Sequence, residues 1–303
     1  MRSPSLRADV DADQLRSGRW IAQAIEGLDP QVDNELATHL SLGVRYGDAF
    51  FAHTAYSVAF VRQMAVPRIA RTVYRTGTGD MMANVRRRND HTLVFFGEMI
   101  RHGHSSPAGR RVIDRMEEIH ARFGVRDDDK LFTLASLTFE GSRILGDLGL
   151  TLFTPAEDVA HYNFWRGVGE VMGLGVPGSR DDFLAWTHAF EREQLAASDA
   201  GREILRQVML DWQRWFPGAL RGCSDPVFVA LLGPELRTLF GFSDPPPWAT
   251  RFIRLALDGY NRIQAVRPHR LGRSWSDHFA SNKAAIDIAH YGHQGKERVA
   301  QSR

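Results

Sequence analysis

Apolar residues along this chain recur at spacings of three and four far more often than in alternation, which predicts helices and almost no strand. Residues 14–25 open the series. Further helices are expected over residues 49–64 and 67–76, the latter ended by the Gly77-Thr78-Gly79 turn. A long helix over residues 81–103 follows, then a polar loop from His104 to Pro107 and a helix over residues 108–123 ended by Gly124. Asp127 opens the next, which runs to Leu148 and stops at Gly149. Thr154-Pro155-Ala156-Glu157 is a helix-start signature: Thr accepts from free amides, Pro fits the first helical position, and Glu reaches back to the cap. That helix should end around residues 173–177, with others over 179–197, 200–215, 225–239 and 247–266. Residues 267–303, rich in Arg, Ser, His and Gln, read as a weakly ordered tail. The fold class is therefore all-α: a helical extension over residues 1–45, one large domain over 46–266, and the tail.

Composition narrows the picture. Of 303 residues, 43% are hydrophobic and 24% charged, so a large core can be buried. The formal net charge is only +2, which offers no cationic excess for nucleic acid. Cys223 is the sole cysteine, which excludes an intrachain disulfide and a cysteine-cluster metal site and suits a reducing cytoplasm. The first residues hold no apolar run of signal-peptide type. The longest apolar stretch, near residues 50–61, falls short of the roughly 20 residues a membrane span needs. A soluble, cytoplasmic protein is expected.

Two polar intrusions into apolar stripes mark candidate chemistry. In the 81–103 helix, Arg88 and Thr92 sit one turn apart within the stripe of Met81, Val85, Phe95, Phe96 and Met99. An inward arginine needs a partner: a core carboxylate, the surface reached by its long stem, or a bound anion. His120 lies seven residues after Ile113, four after Met116 and three before Phe123, and so points inward with them. It is either an ordinary core histidine or a neutral imidazole that ligates a metal or haem iron. Zinc, which wants three or four protein ligands, is disfavoured. Asp127-Asp128-Asp129 lacks the spacing of a magnesium motif and complements a helix dipole instead.

Taken together, Arg88-x-x-x-Thr92 and Met116-Glu-Glu-Ile-His120 resemble the catalytic domain of the MpaB/latex-clearing protein (rubber oxygenase) family. The similarity continues through Asp129-Lys-Leu-Phe-Thr-Leu-Ala-Ser-Leu-Thr138, Thr154-Pro-Ala-Glu157, Tyr162-Asn-Phe-Trp165, Val168-Gly-Glu-Val-Met-Gly173 and Pro177 to Phe183-Leu-Ala-Trp186 and Phe190-Glu191. It covers roughly residues 60–215.

The resemblance implies a globin-like core that binds haem b, with His120 as proximal iron ligand and Arg88 and Thr92 holding the haem from another helix. Latex-clearing proteins place a lysine before the motif threonine that can ligate iron distally; here His91 stands there as a distal ligand. Rubber oxygenases also use a glutamate upstream of Arg/Thr as catalytic base. Between His53 and Arg88 this chain has only Asp80, so no base is mapped. The membrane anchor of the fungal MpaB enzymes has no counterpart in the sequence. The expected function is a haem-dependent oxygenase acting with O2 on an apolar, isoprenoid or alkenyl substrate, with Phe95, Phe96, Met99, Phe132 and Phe139 as pocket lining. The rivals are a haem-binding or haem-sensing protein without turnover, and a cofactor-free small-molecule binder.

Overall fold

The computed structural model describes residues 12–282 and 286–293. Its helices are α1 (Gly18–Glu26), α2 (Asn34–Thr38), α3 (Ala49–Met64), α4 (Pro67–Tyr74), α5 (Asp80–Ala83), α6 (Val85–His102), α7 (Pro107–Arg122) and α8 (Asp127–Asp147). They continue with α9 (Pro155–Val171), α10 (Arg180–Gln194), α11 (Asp199–Trp212), α12 (Ser224–Leu231), α13 (Pro234–Phe240), α14 (Pro247–Val266) and α15 (Ser276–Phe279). Among the described residues the only sheet is one antiparallel pair, β1 (Leu15–Ser17) with β2 (Pro268–Arg270). The protein is all-α, as the periodicity predicts.

α3 is the axis of the core. It is apolar nearly all round, with Val58, Val61 and Met64 fully enclosed, because α8 and α11 pack against it from different sides. Its one internal cation, Arg62, is met by Glu140 of α8, by Glu191 of α10 at 3.0 Å and by Glu235 of α13 at 3.0 Å. Arg143 adds a second cation to the cluster at 2.9 Å from Glu191. Four helices are thereby locked in register around one guanidinium. The predicted capping box at Thr154 forms: its hydroxyl accepts from the Glu157 amide at 3.2 Å, and the Glu157 carboxylate accepts from the Thr154 amide at 2.8 Å.

Several expectations change. The 81–103 helix breaks at Asn84, whose extended backbone interrupts the turn and whose side chain caps α6 by accepting from the Arg87 amide at 3.0 Å. Residues 15–17 pair with β2, and Ser17 caps α1, so the first helix starts later than the pattern suggests. The 225–239 helix divides at Gly233, where Pro234 starts α13.

The largest difference lies after α14. Residues 267–282 and 286–293, expected as a loose tail, pack onto the domain. Trp275 donates from Nε1 to the Leu93 carbonyl at 2.8 Å, and Ser276 donates to Glu98 at 2.6 Å. Gly97 permits this approach, since a Cβ there would stand 2.8 Å from Trp275 Nε1. The remainder of the expected tail lies outside the described residues.

Candidate functional site

A cavity of about 440 Å³ opens between α3, α4, α6, α7 and the start of α8, with Gly292 and His293 closing one side. It gathers all four residues that the sequence singles out: Arg88, His91 and Thr92 from α6 and His120 from α7. The 3.6-residue period explains their convergence, because α6 and α7 pack on each other and each turns its stripe to the same space.

His120 is half-buried, and its Nδ1 lies 2.8 Å from Glu117 Oε1, one turn earlier. The carboxylate accepts a hydrogen bond from Nδ1–H, so in the neutral ring Nε2 is the nitrogen with a free lone pair. Lys130 of α8 holds the other Glu117 oxygen at 2.6 Å. Burial pushes the Glu117 carboxyl up, but the bonds from His120 and Lys130 outweigh it and hold the group below its ordinary range. A carboxylate fixed in this way orients the ring and makes its free nitrogen a better ligand.

Arg88 lines the same cavity. Its guanidinium meets the Tyr56 hydroxyl and lies 4.2 Å from the Phe60 ring centroid, both on α3. No carboxylate stands within ion-pair distance of it among the described residues, so the core-carboxylate alternative falls away. A half-buried cation held by a phenol and a ring face leaves hydrogen-bond donors for an anion. Thr92 donates to the Arg88 carbonyl at 3.0 Å. Behind them Tyr56 donates to Asn89 at 3.1 Å, and Asn89 donates to Asp211 at 2.8 Å. Asp211 also receives His53 Nε2 at 2.9 Å. Burial drives the His53 pKa down, so the ring donates to Asp211 as a neutral imidazole.

His91 takes a specific role from the C-terminal segment. The Gly292 amide donates to its Nδ1 at 3.0 Å, which places the ring proton on Nε2. Gly292 has φ of 80°, and a Cβ there would lie 2.3 Å from Ile119 and 3.3 Å from Phe95, so only glycine wedges between α6 and α7 at this point. Arg115, which periodicity places on the outer face of α7, is buried instead and reaches the Tyr291 and His293 carbonyls at 3.4 Å.

Two carboxylates reach the wall, Asp80 and Asp129. Asp129 pairs with Arg68 at 2.7 Å. Asp80 accepts from Arg75 at 3.0 Å and from His293 Nδ1 at 2.9 Å. Sequence reasoning missed Tyr56, His293 and Gly292, because they reach the cavity only through contacts remote in sequence. Of the expected lining, Phe95 and Phe96 face the cavity. Met99 borders only a smaller void beside His120. Phe132 and Phe139 are plain core, stacked on Phe190 and packed against Phe183.

Among the described residues no group of three or more His, Cys, Asp or Glu could hold a metal ion by itself. An iron here would need a carrier bound to the cavity. The residues fit one: an oriented imidazole, apolar walls, and an arginine without a carboxylate among the described residues.

Comparison with known proteins finds a family model described as "ER-bound oxygenase mpaB/B'/Rubber oxygenase, catalytic domain" matching residues 44–262. The ER-bound oxygenase mpaB of Penicillium brevicompactum is 23% identical over 238 residues, which span 71% of this chain and 60% of that protein. The ER-bound oxygenase mpaB' of the same organism is 20% identical over 224 residues, 68% of this chain and 53% of its own length. The chain thus spans between about half and three-fifths of these relatives. A solved structure of latex clearing protein LCP in the closed state aligns with a TM-score of 0.49 at 17% identity, over 87% of this chain and 72% of that one.

Proposed function

Because this chain belongs to the ER-bound oxygenase mpaB/rubber oxygenase catalytic-domain family, we propose that it is a haem b-dependent oxygenase acting with O2 on an apolar substrate of isoprenoid or alkenyl type. The observation that carries this reading is His120, tied through Nδ1 to Glu117 and free at Nε2, in the same cavity as an arginine that has no carboxylate partner among the described residues.

Haem b, when bound, supplies the iron-centred redox chemistry that activates O2. His120 would hold the iron through Nε2, with Glu117 and Lys130 keeping its ring in orientation. Arg88 would hold an anionic group of the cofactor, and Thr92 steadies the Arg88 turn. In the geometry set by Gly292, His91 is a hydrogen-bond donor into the cavity. Iron ligation by His91 requires that the ring turn or that the Nε2 proton leave. Phe95, Phe96 and Ile119 keep water out and suit an apolar substrate. Asp80 accepts a hydrogen bond from His293 Nδ1–H, so in the neutral ring the His293 Nε2 carries a lone pair where no glutamate stands.

The test is a haemin titration of the purified full chain, followed by oxygen uptake with apolar alkenes. A saturable Soret band and alkene-dependent uptake are expected; no Soret band removes the assignment. A second reading, haem binding or sensing without turnover, is favoured by the ion pairing of both wall carboxylates. It predicts the Soret band with no uptake across the alkene panel.

A further inference from the structure

α14 carries two apolar faces, and only one is used. Ala249, Ile253 and Gln264 are buried against the domain. Trp248, Phe252, Leu255, Ile263 and Val266 are between 47% and 65% exposed. At 100° per residue these five fall within a sector of about 80°, in a stripe about 27 Å long. An isolated exposed leucine needs no explanation, but a contiguous apolar stripe with two aromatics does.

The stripe has a charged edge. Arg251, Arg254 and Arg262 lie along one side of it, against a single acid, Asp258. Asp258 is taken by Arg262 at 3.0 Å. Arg251 and Arg254 have no carboxylate within ion-pair distance among the described residues.

We propose that this face of α14 docks the protein onto a membrane surface that carries anionic headgroups. Apolar side chains with a row of arginines beside them match the boundary between acyl chains and lipid headgroups, where the stripe is buried and each arginine finds a phosphate or carboxylate. A second copy of this chain fits less well, since its stripe brings the same unneutralised arginines. The helix lies in the surface and does not cross it: no helix among the described residues is long and apolar enough to span a membrane. α14 contributes nothing to the cavity wall, so this inference stands apart from the haem reading.

The test is flotation of the full chain with vesicles of phosphatidylcholine alone and of phosphatidylcholine mixed with phosphatidylserine. Binding is expected to the mixed vesicles, to weaken with salt, and to be lost in Leu255→Glu and Ile263→Glu. Arg251→Gln combined with Arg254→Gln should lower the partition on the order of 30-fold, at about 1 kcal/mol per arginine. The substituted positions are exposed, so unchanged cooperative melting serves as the folding control. Absence of flotation with the mixed vesicles, or unaltered flotation of Leu255→Glu, overturns the proposal. A chain that sediments as a dimer and becomes monomeric in Leu255→Glu also overturns it, in favour of a contact between copies.

Discussion

His161 and His120 are both histidines on amphipathic helices, yet their surroundings assign them opposite behaviour. His120 has a carboxylate on one ring nitrogen and a cavity before the other. His161 is enclosed in the core, with Nε2 unpartnered and the Phe153 ring edge-on at 5.0 Å. Burial alone pushes its pKa down from 6.5 to about 3. The unfolded chain therefore takes up a proton below pH 6.5 that the folded chain refuses, and stability falls as pH drops from there toward 3. His161→Phe should flatten this part of the profile, read as melting temperature against pH. An unchanged slope would mean that the ring finds a proton partner on acidification.

At the scale of elements, the Arg62 cluster shows how polar groups set helix register. Arg62 ties α3 to α8, α10 and α13. Arg62→Met removes the cation and leaves the buried Glu140 and Glu191 with Arg143 and, at Glu191, the His188 ring, a loss of about 3–5 kcal/mol. Chemical denaturation should show it as a lowered midpoint with the fold retained. Helices with a sustained apolar period were legible from sequence, and α14 matches its expected bounds at both ends. So was the Thr154 box, whose signal is local. Residues 267–282 and 286–293 were not, because their anchors are single long-range bonds. His39 donates to the Leu271 carbonyl at 2.8 Å and Trp275 to that of Leu93, and neither leaves a period in the sequence. The same reason hid Arg115, whose outer face is outer only until residues 291–293 cover it.

For the whole molecule, the cavity is an assembly of distant parts. α3 supplies Tyr56 and Phe60, α6 and α7 supply the motif residues, and the segment at Gly292 and His293 closes the wall from beyond the stretch that matches the family. Arg88, Thr92 and His120 were readable as inward polar residues, and the structure brings them to one space; the closing wall was not readable. Function follows from whether that space holds haem through His120. The direct measurement is haemin titration of His120→Gly beside the parent chain, by absorption spectroscopy, with and without added imidazole. The account predicts a Soret band for the parent, its loss or marked weakening in His120→Gly, and its return when imidazole fills the vacated ligand position. Equal haem loading and an identical spectrum in His120→Gly without imidazole would contradict it.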